Sequence, residues 1–189
     1  LSATNTAGFR WDPPNRTSVV TAQKEVWNKT GRVSIPIPAG SNGAPFQGTH
    51  SLRFDYNVDA VWAEQRFNLG RAYPDVWISF WLRVPFNYKH IDGPSSDNGK
   101  LLALWMDKYS SEGDGPTLVW STELVPDGSS DVSIAYSQGG RTGAGQHFQS
   151  VRFINYPNDQ GRWMQLVFRA KAATTATSNN GVIQLWRRW

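Results

Sequence analysis

DVWISFWLRV, residues 75–84, decides how the rest of the chain is read. It alternates strictly, as a β-strand does when successive side chains point to opposite faces. Val76, Ile78, Phe80, Leu82 and Val84 form one row, an ordinary buried face. Trp77, Ser79, Trp81 and Arg83 form the other. Two indoles, a hydroxyl and a guanidinium in one row suit a surface that holds something flat and polar.

The same two-faced pattern recurs on other segments. In SLRFDYNV, residues 51–58, Leu52, Phe54, Tyr56 and Val58 alternate with Ser51, Arg53, Asp55 and Asn57. In residues 100–109, Leu102, Leu104 and Met106 take one face and Leu101, Ala103, Trp105, Asp107 and Tyr109 the other. In residues 162–171, Met164, Leu166 and Phe168 oppose Trp163, Gln165, Arg169 and Lys171. In residues 180–189, Ile183 and Leu185 oppose Gln184, Trp186 and Arg188. Aligned, these strands collect Arg53, Asp55, Trp77, Trp81, Arg83, Trp105, Asp107, Trp163, Gln165, Arg169, Trp186 and Arg188 on one sheet face. Indole faces stack on the apolar side of a sugar ring, and arginine forks bind carboxylates or sulfates in two-point fashion. A covering layer over the same face would instead make the indoles core residues and pair each arginine with an aspartate.

The remaining segments fit an all-β chain. Residues 1–18 read as an irregular arm that packs through Phe9 and Trp11, and residues 19–37 as one or two strands. Residues 39–48 are a loop, and residues 62–69 a further strand or a short helix. TLVWSTELV and DVSIAYS are strands joined by the turn residues PDGSSD, while residues 138–146 form a Gly-rich loop. Many short strands with regular turn signals predict a β-sandwich of one domain spanning residues 1–189. The chain stops inside an apparent strand. Either that strand pairs within the sheet, or the native protein continues past Trp189.

Composition narrows the function classes. The 189 residues contain ten Trp, six Tyr and nine Phe, more indole than a core of this size needs. No cysteine is present, so disulfides and thiolate metal sites are excluded. A net charge of +4 without a basic run gives no sign of nucleic-acid binding, and no apolar run is long enough for a membrane span. His50, His90 and His147 lack metal-ligand spacing, so no metal site is assigned. The aspartates of residues 92–97 and 127–131 carry oxygens of the kind Ca²⁺ takes, but neither segment matches an EF-hand loop and turn formation is the expected role. GGRTGAG lacks the context of a phosphate loop.

Together SLRFDY, VWISFWLRVP, GKLLALWMD, GRWMQLVFRAK and NGVIQLWRRW resemble the concanavalin A-like lectin/glucanase jelly roll. The likeness covers roughly residues 48–189 and is nearest to the alginate, glucuronan and heparin lyase-like branch. It implies a jelly-roll β-sandwich of two antiparallel sheets with a glycan groove on the concave one, and an extracellular or surface-associated protein. For a lyase it implies Arg53 on the arginine strand, with Tyr136, Gln146 and His147 available to neutralise the uronate and move protons by β-elimination. Where those lyases carry a Gln-x-His pair, this chain has Leu101, Ala103 and Trp105. Glu123 stands alone, which argues against two-carboxylate hydrolysis. The leading expectation is therefore a module that binds an acidic or hydroxyl-rich polysaccharide through Trp77, Trp81, Arg83, Trp105, Asp107, Gln165, Arg169, Trp186 and Arg188. A uronate lyase is the alternative, and a non-catalytic structural or adhesion domain of a virion or cell surface a further one. No cofactor is assigned, with structural calcium left open.

Overall fold

The alternation of residues 75–84 is realised as a nine-residue strand, and its one ladder runs without a register break. The computed structural model describes residues 8–20, 25–28, 31–34, 46–48, 50–55, 62–85, 88–90, 99–105, 117–137, 145–175 and 177–189. Its strands, in chain order, are β1 (Arg10–Trp11), β2 (Thr17–Val20), β3 (Glu25–Asn28), β4 (Gly31–Ser34), β5 (Ser51–Phe54), β6 (Phe67–Asn68) and β7 (Asp75–Arg83). There follow β8 (Gly99–Leu104), β9 (Thr117–Leu124), β10 (Ser130–Ser137), β11 (Gly145–Ile154), β12 (Trp163–Lys171) and β13 (Val182–Arg188). Among the described residues there is no helix, and every strand pairing is antiparallel. Among the described residues no helix is long and apolar enough to cross a membrane.

The chain divides into two compact units. The first comprises Leu1–Pro85 and Gly161–Trp189. It holds a three-stranded sheet in the order β13-β12-β7 and the two-stranded pairs β1-β6, β2-β5 and β3-β4. β12 is central, and its even positions face apolar residues of β7 throughout and Leu185 and Ile183 of β13. Phe168 lies opposite Ile78 on one side and Leu185 on the other, and Leu166 lies opposite Phe80. Met164 and Leu166 are 0% exposed and Phe168 is 1% exposed, with Phe80 stacked on Phe168 at 5.5 Å. Burying side chains of this size stabilises the fold by about 2 kcal/mol each. The anticipated faces of residues 75–84, 162–171 and 180–189 are thus observed. Residues 62–69 supply a bridge at Glu64 and the short β6 rather than a helix. Phe9 and Trp11 both pack on Phe67 of β6.

The second unit, Phe86–Gln160, is built on a four-stranded meander in the order β11-β10-β9-β8. Leu118, Val119 and Trp120 of β9 are consecutive and all buried, as are Val132, Phe153 and Ile154. The β9–β10 turn forms as its residues dictate. Pro126 presets φ, Asp127 Oδ1 accepts the Ser129 amide at 2.8 Å, and Gly128 takes φ +90°. Arg152 of β11 then binds both Asp131, at 2.8 Å, and Asp127, at 3.4 Å. The two aspartates weighed as oxygen ligands are therefore a turn residue and a strand residue sharing one arginine. Residues 92–97, weighed in the same way, lie outside the described residues.

β11 has no counterpart in the reading of the sequence, which ends its Gly-rich loop at Gln146 and resumes at residue 162. The strand begins at Gly145, so Gln146 is a strand residue. Its ladder with β10 shifts register twice, between Ser130 and Asp131 and between Val132 and Ile134. Each bulge puts an extra residue into one strand. Phe148, Val151, Phe153 and Ile154 consequently show no period of two.

Candidate functional site

The face of the three-stranded sheet opposite Met164, Leu166 and Phe168 is set by register alone. Trp77, Arg169 and Gln184 share one row across β7, β12 and β13. Ser79, Val167 and Trp186 share the next, and Trp81, Gln165 and Arg188 the one after. Arg83 and Trp163 close the series. Seven of the anticipated ligand residues, Trp77, Trp81, Arg83, Gln165, Arg169, Trp186 and Arg188, therefore stand on one face. Rows on one face repeat about every 7 Å, and neighbouring strands lie about 4.8 Å apart.

The two ends of this face differ. At one end Trp77 and Trp186 are 55% and 42% exposed, with ring centroids 5.5 Å apart and planes 8° from parallel. The Arg169 guanidinium lies 4.7 Å from the Trp77 ring centroid. It is held there by Asp75, with Nε to Oδ1 at 3.1 Å and Nη2 to Oδ2 at 2.8 Å. Hydrogen bonding to Arg169 keeps the Asp75 carboxyl below its usual range, and the same contact raises Arg169. At the other end the sheet is covered by the chain itself. Phe46 stacks on Trp81 at 3.5 Å and meets Trp163 edge-on at 6.3 Å, leaving Trp81 half-buried.

Between the two ends runs a polar string. Arg188 Nε donates to Gln165 Oε1, and Gln165 Nε2 donates to Ser79 Oγ at 3.1 Å. Both ends of the amide are thus assigned, which fixes its orientation. Arg83 turns away from this string, donating from Nε to the Gly161 carbonyl at 2.9 Å, and burial lowers its pKa. Among Arg83, Arg169 and Arg188, only Arg188 has neither a carboxylate nor a main-chain carbonyl as partner among the described residues. Arg188 is exposed, so its terminal nitrogens remain available to an anion.

The other anticipated residues lie elsewhere. Arg53 is on β5, in the β2-β5 pair, and forms a two-point ion pair with Asp55, 2.6 Å from Nε to Oδ1 and 3.1 Å from Nη2 to Oδ2. Ser18 Oγ adds a third contact to that carboxylate at 3.3 Å. Arg53 is thus a structural cation that ties Asp55 down. Trp105 follows β8 of the four-stranded sheet, with Lys100 Nζ 6.0 Å from its ring centroid. It therefore belongs to a different sheet from Trp77 and Trp81. Asp107 lies outside the described residues. Tyr136 and Gln146 are register partners across β10 and β11, and His147 is the register partner of Ala135. The fold thus sets Tyr136 opposite Gln146, although ten positions separate them in sequence.

Two features of the first unit escaped the reading of the sequence. Phe46 covers Trp81 from a Gly- and Pro-rich stretch that carries no periodic signal. Trp62 is held by Arg16, 46 positions away, which no local pattern connects. Among the described residues no group of three or more His, Cys, Asp or Glu is placed to hold a metal ion. His90 Nδ1 lies 2.8 Å from Ser130 Oγ, a hydroxyl buried at 0% exposure that also bonds Tyr88. This cluster reads as internal hydrogen bonding of the second unit.

Comparison of the chain with protein-family models, with curated proteins and with solved structures finds no match.

Proposed function

We propose that this protein is a glycan-binding β-sandwich module that engages an acidic or hydroxyl-rich polysaccharide through the β7-β12-β13 face. The observation that carries the reading is the exposed, parallel Trp77–Trp186 pair, in which Trp186 shares a row with Ser79 of the Arg188–Gln165–Ser79 string. The indoles offer apolar ring surface to the C–H face of a pyranose. Arg188 offers charged donors to a carboxylate or sulfate, and Gln165 and Ser79 offer groups that pair with hydroxyls. The covered end of the face is not part of this site. Phe46 already occupies the ring of Trp81, and Arg83 is spent on Gly161. The same reading takes the fold as the jelly-roll sandwich of a concanavalin A-like relative working outside the cell or on its surface.

Titration with polyuronates and with neutral glycans, followed by Trp fluorescence, tests the proposal. Saturable quenching that Trp77→Ala and Trp186→Ala each reduce supports it. Absence of quenching across the panel refutes it, and concentration-dependent self-assembly without any glycan response would point instead to a structural or adhesion domain.

A lyase is the second reading, and the register that sets Tyr136 against Gln146 is what favours it. A phenol could move the proton while the amide neutralises the uronate carboxylate. A rise in ultraviolet absorbance from unsaturated sugar, lost in Tyr136→Phe, is its signature. No such rise on any uronate polymer refutes it.

A further inference from the structure

Gln165 stands half-buried on β12, with Arg188 opposite it on β13 and Ser79 one row away on β7. A guanidinium has donors and no acceptor, so the amide atom that meets Arg188 Nε has to be the oxygen. The amide nitrogen is thereby turned to Ser79 and donates to its Oγ at 3.1 Å. Because that oxygen accepts from Gln165, the Ser79 O–H is left to donate elsewhere. It meets no acceptor among the described residues, and Ser79 is exposed. The string thus runs in one direction, from the guanidinium through the amide to the hydroxyl. Each bond polarises the next, which strengthens the last O–H as a donor.

The charges of the face lean the same way. Arg169 is neutralised by its two-point pair with Asp75, and Arg83 is directed to the Gly161 carbonyl. Arg188 meets no carboxylate among the described residues. Neither its own row, Trp81–Gln165–Arg188, nor the next, Ser79–Val167–Trp186, carries an acidic side chain. The terminal N–H groups of Arg188, the second amide hydrogen of Gln165 and the Ser79 O–H are therefore set against only the spare lone pairs of Gln165 Oε1 and Ser79 Oγ. Trp186 shares a row with Ser79 and lies two residues, about 7 Å along the strand, from Arg188. A sugar ring resting on Trp186 lies beside both donors. A hydroxyl donates as much as it accepts and gains little from such a surplus, whereas a carboxylate only accepts.

We propose that Gln165 is the specificity-determining residue of this face. Held by Arg188, it makes Ser79 a donor, so the face takes a sugar residue bearing a carboxylate in preference to the same sugar bearing a hydroxymethyl group. The inference rests on the reading of the β7-β12-β13 face as a glycan site and narrows it from acidic or hydroxyl-rich to acidic.

The test is titration of the whole chain with an oligoglucuronate and with the neutral oligoglucoside of the same length and linkage, following the indole N–H resonances of Trp77 and Trp186. The oligoglucuronate is expected to bind about ten- to hundredfold more tightly. Gln165→Glu puts an acceptor on both sides of the string, pairing with Arg188 and drawing the Ser79 O–H inward. It is expected to bring the two affinities close together while the neutral oligomer still binds. Unshifted Trp77 and Trp186 resonances in the free variant show that the stack is intact. Ser79→Ala, which changes no charge, is expected to reduce the preference in part, and Ser79→Thr, which keeps the hydroxyl, to retain it. Equal binding of the two oligomers by the unaltered chain overturns the inference and leaves glycan binding standing. A preference that survives Gln165→Glu, or one that Ser79→Ala does not diminish, overturns it as well. A response to neither oligomer refutes the glycan reading of the face and this inference with it.

Discussion

Trp77 and Trp186 stack across an intervening strand. They belong to β7 and β13, which flank β12, yet their ring centroids are 5.5 Å apart and their planes nearly parallel. Val167, the register partner of both Ser79 and Trp186, is short enough for the indoles to meet above β12. Aromatic pairs of this kind are worth about 0.5–1.5 kcal/mol beyond their buried area. A double-mutant cycle with Trp77→Ala and Trp186→Ala, measured by denaturant unfolding, is expected to give a coupling in that range. Additive losses would mean that the two rings do not interact in solution.

Asp75 and Arg169 link β7 to β12 beneath that stack. The carboxyl of Asp75 titrates below its ordinary value because it accepts from Arg169. A carboxyl with a lowered folded-state pKa contributes stability that is fully present above the unfolded value, about 3.9, and lost as pH falls through the folded value. Stability should therefore fall as pH drops below about 4, and Asp75→Asn should remove part of that dependence while changing little at higher pH. Acid-unfolding curves that coincide for the two proteins would contradict this.

Gly128 turns β9 into β10 at φ +90°, and a Cβ built there would lie 2.8 Å from Lys89 Cγ. Gly128→Ala is expected to lower stability by about 1–2 kcal/mol from the backbone alone. Thermal unfolding checks it. A neutral outcome would mean that the turn relaxes to another geometry.

Leu166 and Val167 are neighbours on β12 with opposite fates, the first buried at 0% exposure and the second on the open face. Leu166→Ala is expected to destabilise by about 2–5 kcal/mol, as large-to-small core changes do. Val167→Ala should cost clearly less. Equal losses would indicate that the face opposite Leu166 is also sealed.

What could be read from the sequence, and what could not, follows from ladder regularity. β7, β12 and β13 pair without a bulge, so a period of two in the sequence remains a period of two in space. The faces of Trp77, Gln165 and Trp186 were legible for that reason. β8 has a register shift between Lys100 and Leu102, and β11 takes part in two, so alternation there loses its meaning. β11 went unread on this account, and the face of Trp105 could not be tied to that of Trp81. Sheet membership is a long-range property as well. Nothing local separates Arg53, ion-paired on β5, from Arg188, whose terminal nitrogens face solvent. The stacking of Phe46 on Trp81 joins a loop residue to a strand 35 positions away, and it divides a face that looks uniform in sequence into a covered and an open end.

The open end of this face can be tested directly. Indole N–H resonances distinguish individual tryptophans, and Trp120, at 0% exposure in the second unit, serves as an internal reference. Titration with a polyuronate is expected to shift the resonances of Trp77 and Trp186 together, with one apparent affinity, and to leave Trp120 still. Arg188→Ala should weaken that response by about tenfold, the loss of a charged hydrogen bond of some 1.5 kcal/mol. A polyuronate that leaves Trp77 and Trp186 unshifted, or moves all three alike, would contradict glycan binding at this face.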